Sequence, residues 1–381
     1  MKGLIIISLS VFLFACTATK NSQQQPTISS ISSLKLLGEI DVPHNMQFKN
    51  TTIGGLSGID YDSANNLYYL ICDDRSSINA ARLYTAKLFT STKGIDSVAF
   101  VDVTFLQQQD GLVYPSSKQN PAKIPDPEAI RYNPVTKQLI WTSEGERIVK
   151  KNEVVLANPA ITTITTDGKY IDTFKLPSQL IMQAIDKGPR QNGVLEGLTF
   201  TNNYKQLYVN VEEPLFEDGP RAMLTDTNAW IRIFKYDVKT KKQLKQYAYK
   251  LDPIAYPATP VDAFRINGVP DILSIGNNKL LVMERSFSTG RLPCTIKIYE
   301  ANLSNATNIR NNPSLQQHTK FTPATKRLIL NLDSLGIFTD NVEGMTFGPT
   351  LPNGHRTLVC VADNNFAAFE KTQFFLFEII P

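Results

Sequence analysis

The residues with chemistry to offer in this 381-residue chain are carboxylates, and they recur at matched places. Glu128 and Glu144 flank one stretch, Glu196 and Glu212-Glu213 a second, Glu343 and Asp363 a third. Asp271 and Glu284 flank a more degenerate copy, and in a further one Ser57 stands at the opening with Asp73-Asp74 at the close. Many carboxylates gathered near one axis repel, and in a low effective dielectric each raises the pKa of the others. Such a ring is tolerable when cations sit in it. Donors that are oxygen only favour a hard divalent ion, Ca²⁺ first and Mg²⁺ or Mn²⁺ second. Glu128, Glu196, Glu343 and Asp363 are the candidate metal ligands, and Glu144 or Glu212 could orient a water as the catalytic group. Arg75, Arg221 and Arg285 are candidates to clamp a phosphate or carboxylate through forked hydrogen bonds. The competing reading is that each acid caps a turn or pairs with a nearby base, since Arg75, Arg147 and Arg285 follow acids closely. For a lone Glu that reading would win; recurrence at matched positions favours a functional acidic mouth.

Each pair of acids brackets two short apolar runs joined by a turn, as in Leu195-Glu196-Gly197-Leu198-Thr199-Phe200 running to Val209-Asn210-Val211-Glu212. The copies start roughly 70 residues apart, a period that in an all-β sequence points to a propeller or solenoid. Each copy reads as four strands, from alternating or continuous apolar runs separated by turn residues. The expected fold is therefore an all-β propeller of four-stranded blades, five by repeat count. Six is the alternative, because 106–127 and 301–325 are long enough to hide strands. The fifth unit lacks a fourth strand while Leu34–Val42 belongs to no unit, so the N-terminal strand is expected to close the ring and remove an exposed edge. In such a blade the first strand's start and the second strand's end share one face beside the channel, which is where the acids fall. The long connections 106–127, 177–194, 252–270 and 332–341 lie between units, and long loops on a rigid scaffold usually carry binding.

The rest of the chain narrows the field. A formal charge of +4, without a basic stripe interleaved with aromatics, argues against nucleic acid. Only three histidines are present, His44, His318 and His355, which argues against a His-ligated metal or a His general base. Ser57 lacks the G-x-S-x-G spacing of a nucleophile elbow, and its neighbouring glycines read as close-packing positions near the axis. Met1-Lys2 and an apolar run ending Leu13-Phe14-Ala15-Cys16 resemble a bacterial lipoprotein signal. On that reading residues 1–16 are the signal with Cys16 lipidated, 17–33 a flexible tether, and 34–381 one propeller. The protein would then sit at the bacterial cell envelope, the outer membrane by preference, touching the membrane through its anchor alone and acting as a monomer. The remaining Cys72, Cys294 and Cys360 are odd in number and read as buried apolar residues.

Several phrases together resemble a known family: Asp126-Pro127-Glu128-Ala129-Ile130, Trp141-Thr142-Ser143-Glu144-Gly145, Asn192-Gly193-Val194-Leu195-Glu196-Gly197-Leu198, Met283-Glu284-Arg285-Ser286-Phe287, Asn341-Val342-Glu343-Gly344-Met345 and Ala362-Asp363-Asn364-Asn365-Phe366. They are similar to the bacterial phytase-like proteins with esterase-like activity, and they run in order over residues 54–366. The resemblance implies kinship with β-propeller phytases, Ca²⁺-dependent phosphate-ester hydrolases with an acidic channel. Asp126-Pro127-Glu128-Ala129-Ile130 is similar to their Asp-Asp-Pro-Ala stretch, but Glu128 is inserted, and their dense basic phosphate sites are not evident here.

The expected function is an exported metal-dependent hydrolase of phosphate or carboxylic esters, acting on a small molecule at the channel mouth. The rival from another class is a non-catalytic, Ca²⁺-stabilised propeller that binds a ligand or partner at the envelope. A lactonase- or sugar-ester-type enzyme on the same scaffold is a third reading.

Overall fold

The structure, a computed structural model, describes residues 28, 30–120 and 123–381. The expected signal sequence and Cys16 lie outside the described residues. The last residues of the expected tether are already docked: Ile28 donates its N–H to the Ile275 carbonyl at 3.0 Å, and Ile31 is buried.

The chain builds its strands in order. β1 (Ser33–Val42) precedes a small hairpin of β2 (Gln47–Phe48) and β3 (Thr51–Thr52). The first blade is β4 (Leu56–Asp62), β5 (Leu67–Cys72), β6 (Arg82–Ser91) and β7 (Gly94–Phe105). The second opens with β8 (Pro127–Asn133) and β9 (Gln138–Ser143). It is interrupted by the hairpin β10 (Glu146–Lys150) and β11 (Glu153–Ala157), and is completed by β12 (Ala160–Thr165) and β13 (Tyr170–Thr173). The third is β14 (Leu195–Thr201), β15 (Gln206–Val211), β16 (Trp230–Asp237) and β17 (Gln243–Lys250). The fourth is β18 (Arg265–Gly276), β19 (Lys279–Ser288), β20 (Thr295–Asn302) and β21 (Thr325–Asn331). The last contains β22 (Asn341–Phe347), β23 (Thr357–Asp363) and β24 (Thr372–Ile380), and β1 pairs antiparallel along β24 as its fourth strand.

These are five four-stranded blades, closed as the repeat implied. No strand forms between Asn302 and Thr325, and among the described residues of 106–127 pairing is limited to the Gln107–Val113 bridge, so no sixth blade exists there. Helix among the described residues is confined to three short 3₁₀ turns, Ser178–Leu180, Phe216–Asp218 and Leu332–Leu335.

The inner strands β4, β8, β14, β18 and β22 contact one another in a ring. The core lies between blades, where alternate residues of facing sheets interdigitate; Leu198, Val209, Ile233 and Ile272 share one such cluster. Cys72, Cys294 and Cys360 are free thiols buried in this packing. Close approach at the axis requires glycine: a Cβ on Gly197 would lie 2.6 Å from Asp271 Cα, and one on Gly58 2.6 Å from the Glu128 carbonyl.

The middle of the channel is crossed by an ion pair. Arg131 is buried on β8 and donates to both carboxylate oxygens of Asp271 at 2.9 and 2.8 Å and to the carbonyls of Ile59, Ile272 and Met345. One guanidinium thus ties four blades together. Asp271 also accepts the Met345 N–H at 2.8 Å, so it serves the fold from inside the channel rather than the mouth.

Candidate functional site

Every inner strand carries a register break near its start. It falls between Leu56 and Gly58, Pro127 and Ile130, Leu195 and Leu198, Gly268 and Asp271, and Val342 and Gly344. A bulge leaves residues unpaired and re-aims their side chains. The residues so freed include Ser57, Glu128, Glu196 and Glu343, the recurring opening residues of the sequence. The closing acids Asp73, Glu144 and Glu212 follow the last residue of β5, β9 and β15, and Asp363 ends β23. Fold and carboxylate ring therefore have one cause.

Two of the expected ring members are placed elsewhere. In the fourth blade the bulge falls at Val269 and Pro270, so Asp271 lies one step further along the strand, inside the channel. Glu284 is turned into the blade, where it accepts from Tyr249 Oη at 2.7 Å, the Asp252 N–H, Asn267 Nδ2 and Lys326 Nζ. Asp74 also leaves the ring: it pairs with buried Arg82 at 2.7 Å and caps the turn at Ser77, Ile78 and Asn79.

The remaining acids converge. Asp73, Asp126 and Glu128 offer oxygens that all lie within 4.8 Å of one another, and so do Glu128, Glu144 and Glu196. Glu128 belongs to both groups. Of the four expected ligands, Glu128 and Glu196 are thus brought together, with Glu144, the expected water-orienting acid, as their third donor. Glu343 and Asp363 stand in neither group. Glu343 accepts from Asn341 Nδ2 at 2.9 Å and faces Arg285 at 3.5 Å, and Asp363 accepts the Asn365 N–H at 2.8 Å. Sequence reasoning missed Asp126 and Glu146. Asp126 precedes β8 and Glu146 opens β10, a hairpin outside the repeat, so neither follows the repeated pattern; the adjacency of Asp126 to Pro127-Glu128 was the only signal.

Burial and mutual repulsion set the charge state. Desolvation, reinforced by Asp126, Asp363 and Glu343, holds the Asp73 carboxyl well above the ordinary range. Glu128 and Glu196 are pushed well up by burial first and by their acidic neighbours second, and Asp363 likewise. Burial and Asp126 raise Glu144 to about 8, against the Val194 N–H that its carboxylate accepts. Burial raises Glu213 to about 8, Glu343 to about 7 and Asp126 to about 6, each partly offset by an arginine.

The three expected anion-clamping arginines all reach this ring, each already on an acid. Arg75 pairs with Glu146 and lies 3.4 Å from Asp126, Arg221 sits 2.9 Å from Glu213, and Arg285 donates to Glu212 at 2.7 Å and to Asn341 Oδ1 at 2.6 Å. Arg147 turns away and donates to the Gln183 and Ile185 carbonyls. Ser57 Oγ donates to the Glu128 carbonyl at 2.7 Å, an inter-blade bond that leaves it no nucleophilic geometry.

Beside the ring, Arg285 and Asn341 also line a cavity of about 510 Å³ between the fourth and last blades. The opposite channel end opens into a cavity of about 370 Å³. Asp60 lines it, held there by the Tyr132 N–H and Thr346 Oγ1.

Comparison with known proteins gave three results. No curated protein matched the sequence. Solved structures similar to the chain include a bifunctional GH43-CE protein of Bacteroides eggerthii, at 8% identity and TM-score 0.41, covering 92% of this chain and 34% of that one. An exo-β-1,3-galactanase from Phanerochaete chrysosporium follows at 11% identity and TM-score 0.46, covering 90% of this chain and 65% of that one. An endo-arabinase from Bacteroides thetaiotaomicron gives 12% and 0.42, covering 86% and 95%. The chain therefore spans less than two thirds of the first two. The third result concerns a family: residues 51–366, from β3 just before the first blade to the turn after β23, match the phytase-like model described as esterase-like activity of phytase, and the chain belongs to that family.

Proposed function

We propose that the acidic mouth is the hydrolytic centre of a divalent-cation-dependent esterase. The observation that carries this reading is the pair of carboxylate triads sharing Glu128, all of whose acids are buried except the half-buried Asp73. The ring as a whole sets Asp73, Asp126, Glu128, Glu144, Glu146, Glu196, Glu212, Glu213, Glu343 and Asp363 against Arg75, Arg221 and Arg285. Membership of a family described by an esterase-like activity supports hydrolysis as the reaction class.

The residues fit a hard cation. Every donor of the two triads is a carboxylate oxygen, and those of each triad lie within 4.8 Å of one another. Around them Asp363 Oδ2 and Glu146 Oε1 are buried without a hydrogen-bond partner, adding negative charge that a cation would offset. Asp73, Asp126, Glu128, Glu144 and Glu196 would hold the ion. When bound, a divalent cation lowers the pKa of an attached water and offsets negative charge developing on an ester oxygen. The protein's own part is positional. Arg285 fixes Glu212 toward the ring, where its carboxylate can accept a proton from water. Arg75 and Arg221, half-exposed at the rim, can turn from their acids to an incoming anionic group. In the net reaction water adds to the acyl carbon or phosphorus, the ester C–O or P–O bond breaks, and the alcohol leaves with one proton. Export and lipidation at Cys16 would set this reaction at the bacterial cell envelope.

The test is hydrolysis of p-nitrophenyl acetate and p-nitrophenyl phosphate by cation-loaded protein, by chelated protein and by Glu128→Gln. Turnover of either ester, lost on chelation and in the variant, is the expected outcome. A protein that binds the cation yet turns over neither ester would overturn the catalytic reading and leave a cation-pinned binding propeller.

A further inference from the structure

The fourth blade is built differently at the mouth. Its inner hairpin runs past the bulge, with Arg265 paired to Ser288 and Ile266 to Phe287. This extension forms one wall of the 510 Å³ cavity, and the turn after β23 supplies the facing wall through Asn365, Phe369 and Glu370. The lining gathers four large apolar side chains, Phe264, Phe287, Leu292 and Phe369. Phe369 is 72% exposed, Leu292 71% and Phe264 56%, with Phe264 and Phe287 ring centroids 6.1 Å apart. Large apolar side chains gathered around a concavity mark a binding site.

The charged groups of the lining disfavour a polyanion, because the lining arginines are held more tightly than the half-exposed Arg75 and Arg221 of the rim. Arg285 is committed to Glu212 and Asn341, and Arg291 to the Pro293 carbonyl, to Asp333 at 3.5 Å and to the face of Tyr256 at 4.2 Å. Asp340, buried and accepting the Asn341 and Lys371 N–H groups, and Glu370, accepting from Asn365 Nδ2, add negative charge that no free cation among the described lining residues offsets. Arg285 and Asn341 are shared with the acid ring, so a ligand in this cavity abuts the proposed hydrolytic centre.

We propose that the cavity is the acyl subsite of that centre, and that the substrate is a neutral carboxylic ester with a medium-length or aromatic acyl group, in place of a multiply phosphorylated one. The inference rests on the hydrolytic reading for its chemistry and on the cavity alone for its specificity. The reaction is the hydrolysis already balanced: water adds at the acyl carbon, the C–O bond breaks, and the alcohol and the carboxylic acid leave.

The experiment compares kcat/KM for p-nitrophenyl acetate, butyrate and hexanoate in cation-loaded wild type and in a Leu292→Ser, Phe369→Ser double variant. Each buried methylene is expected to raise kcat/KM about three- to fourfold in the wild type. The hexanoate-to-acetate ratio should fall about tenfold or more in the variant. An equal ratio in the two proteins, or rates that fall with chain length, overturns the proposal. A second arm measures binding of N-(4-nitrophenyl)hexanamide, an uncleaved isostere, by calorimetry. Weaker binding by the double variant supports the subsite even if no ester is turned over, in which case only the hydrolytic reading fails. Indistinguishable binding by both proteins overturns the subsite.

Discussion

Freed of any divalent cation by a chelator, this fold should lose stability as the pH rises, the reverse of ordinary acid denaturation. Glu144 shows the size of the effect. Its carboxyl is raised from 4.5 to about 8, chiefly by burial, so the folded chain holds a proton there that the unfolded chain releases above pH 4.5. A raised carboxylate pKa means that stability is full below the unfolded value and is lost as pH climbs toward the folded one. At about 1.4 kcal/mol per pH unit, Glu144 alone costs about 2–3 kcal/mol between pH 5 and pH 7. For a chain of this length that is a fall in Tm of about 3 °C. Glu128, Glu196, Asp73 and Asp363 shift the same way, but as neighbours they share protons, so their contributions do not simply add. The assay is calorimetric unfolding of chelated protein at pH 5, 6, 7 and 8, repeated with millimolar Ca²⁺ and with Glu144→Gln, whose amide oxygen can still accept the Val194 N–H. The chelated wild type should lose stability steadily over that range, Ca²⁺ should recover more of it at each higher pH, and the variant should show a shallower slope by about the Glu144 share. A chelated protein whose Tm is flat or rises from pH 5 to 8 would refute the reasoning.

Three further outcomes follow from the same geometry. Arg131→Met leaves Asp271 buried without its partner and should cost about 3–5 kcal/mol in denaturant unfolding, with part recovered when Asp271→Leu is added. Gly197→Ala drives a Cβ to 2.6 Å from Asp271 Cα across the blade interface, so a loss of about 1–3 kcal/mol or more in the same assay is expected. Arg285→Gln removes the cation bonded to Glu212, leaving a more negative ring. Calorimetry should then show tighter Ca²⁺ binding and a lower Tm for the chelated protein.

Much of this was legible because one structural device recurs. The phrase Glu-Gly followed by a large apolar residue and Thr-Phe marks the bulged inner strand at Glu196 and again at Glu343, so blade count, channel face and acid positions came from one pattern. The fourth blade broke the pattern. Arg265-Ile266-Asn267-Gly268-Val269-Pro270 contains Gly and Pro, which argue against a strand, yet it pairs as the start of β18 and shifts Asp271 into the channel. The β10–β11 hairpin went unread because it interrupts a blade between its second and third strands. Asp126 escaped because a loop carries it to Glu128, and no periodicity reports where a loop turns. The arginines were found at the mouth, but their prior commitment to Glu146, Glu213 and Glu212 is a matter of side-chain geometry alone.

The most direct test of the account is a calorimetric titration of chelated protein with Ca²⁺, for the wild type, Glu128→Gln and Glu343→Gln. Glu128 sits in both carboxylate triads and Glu343 in neither. The account predicts saturable binding by the wild type, its loss or a drop of about a hundredfold or more in Glu128→Gln, and its retention in Glu343→Gln. Binding unaffected by Glu128→Gln, or no binding by any of the three, would contradict it.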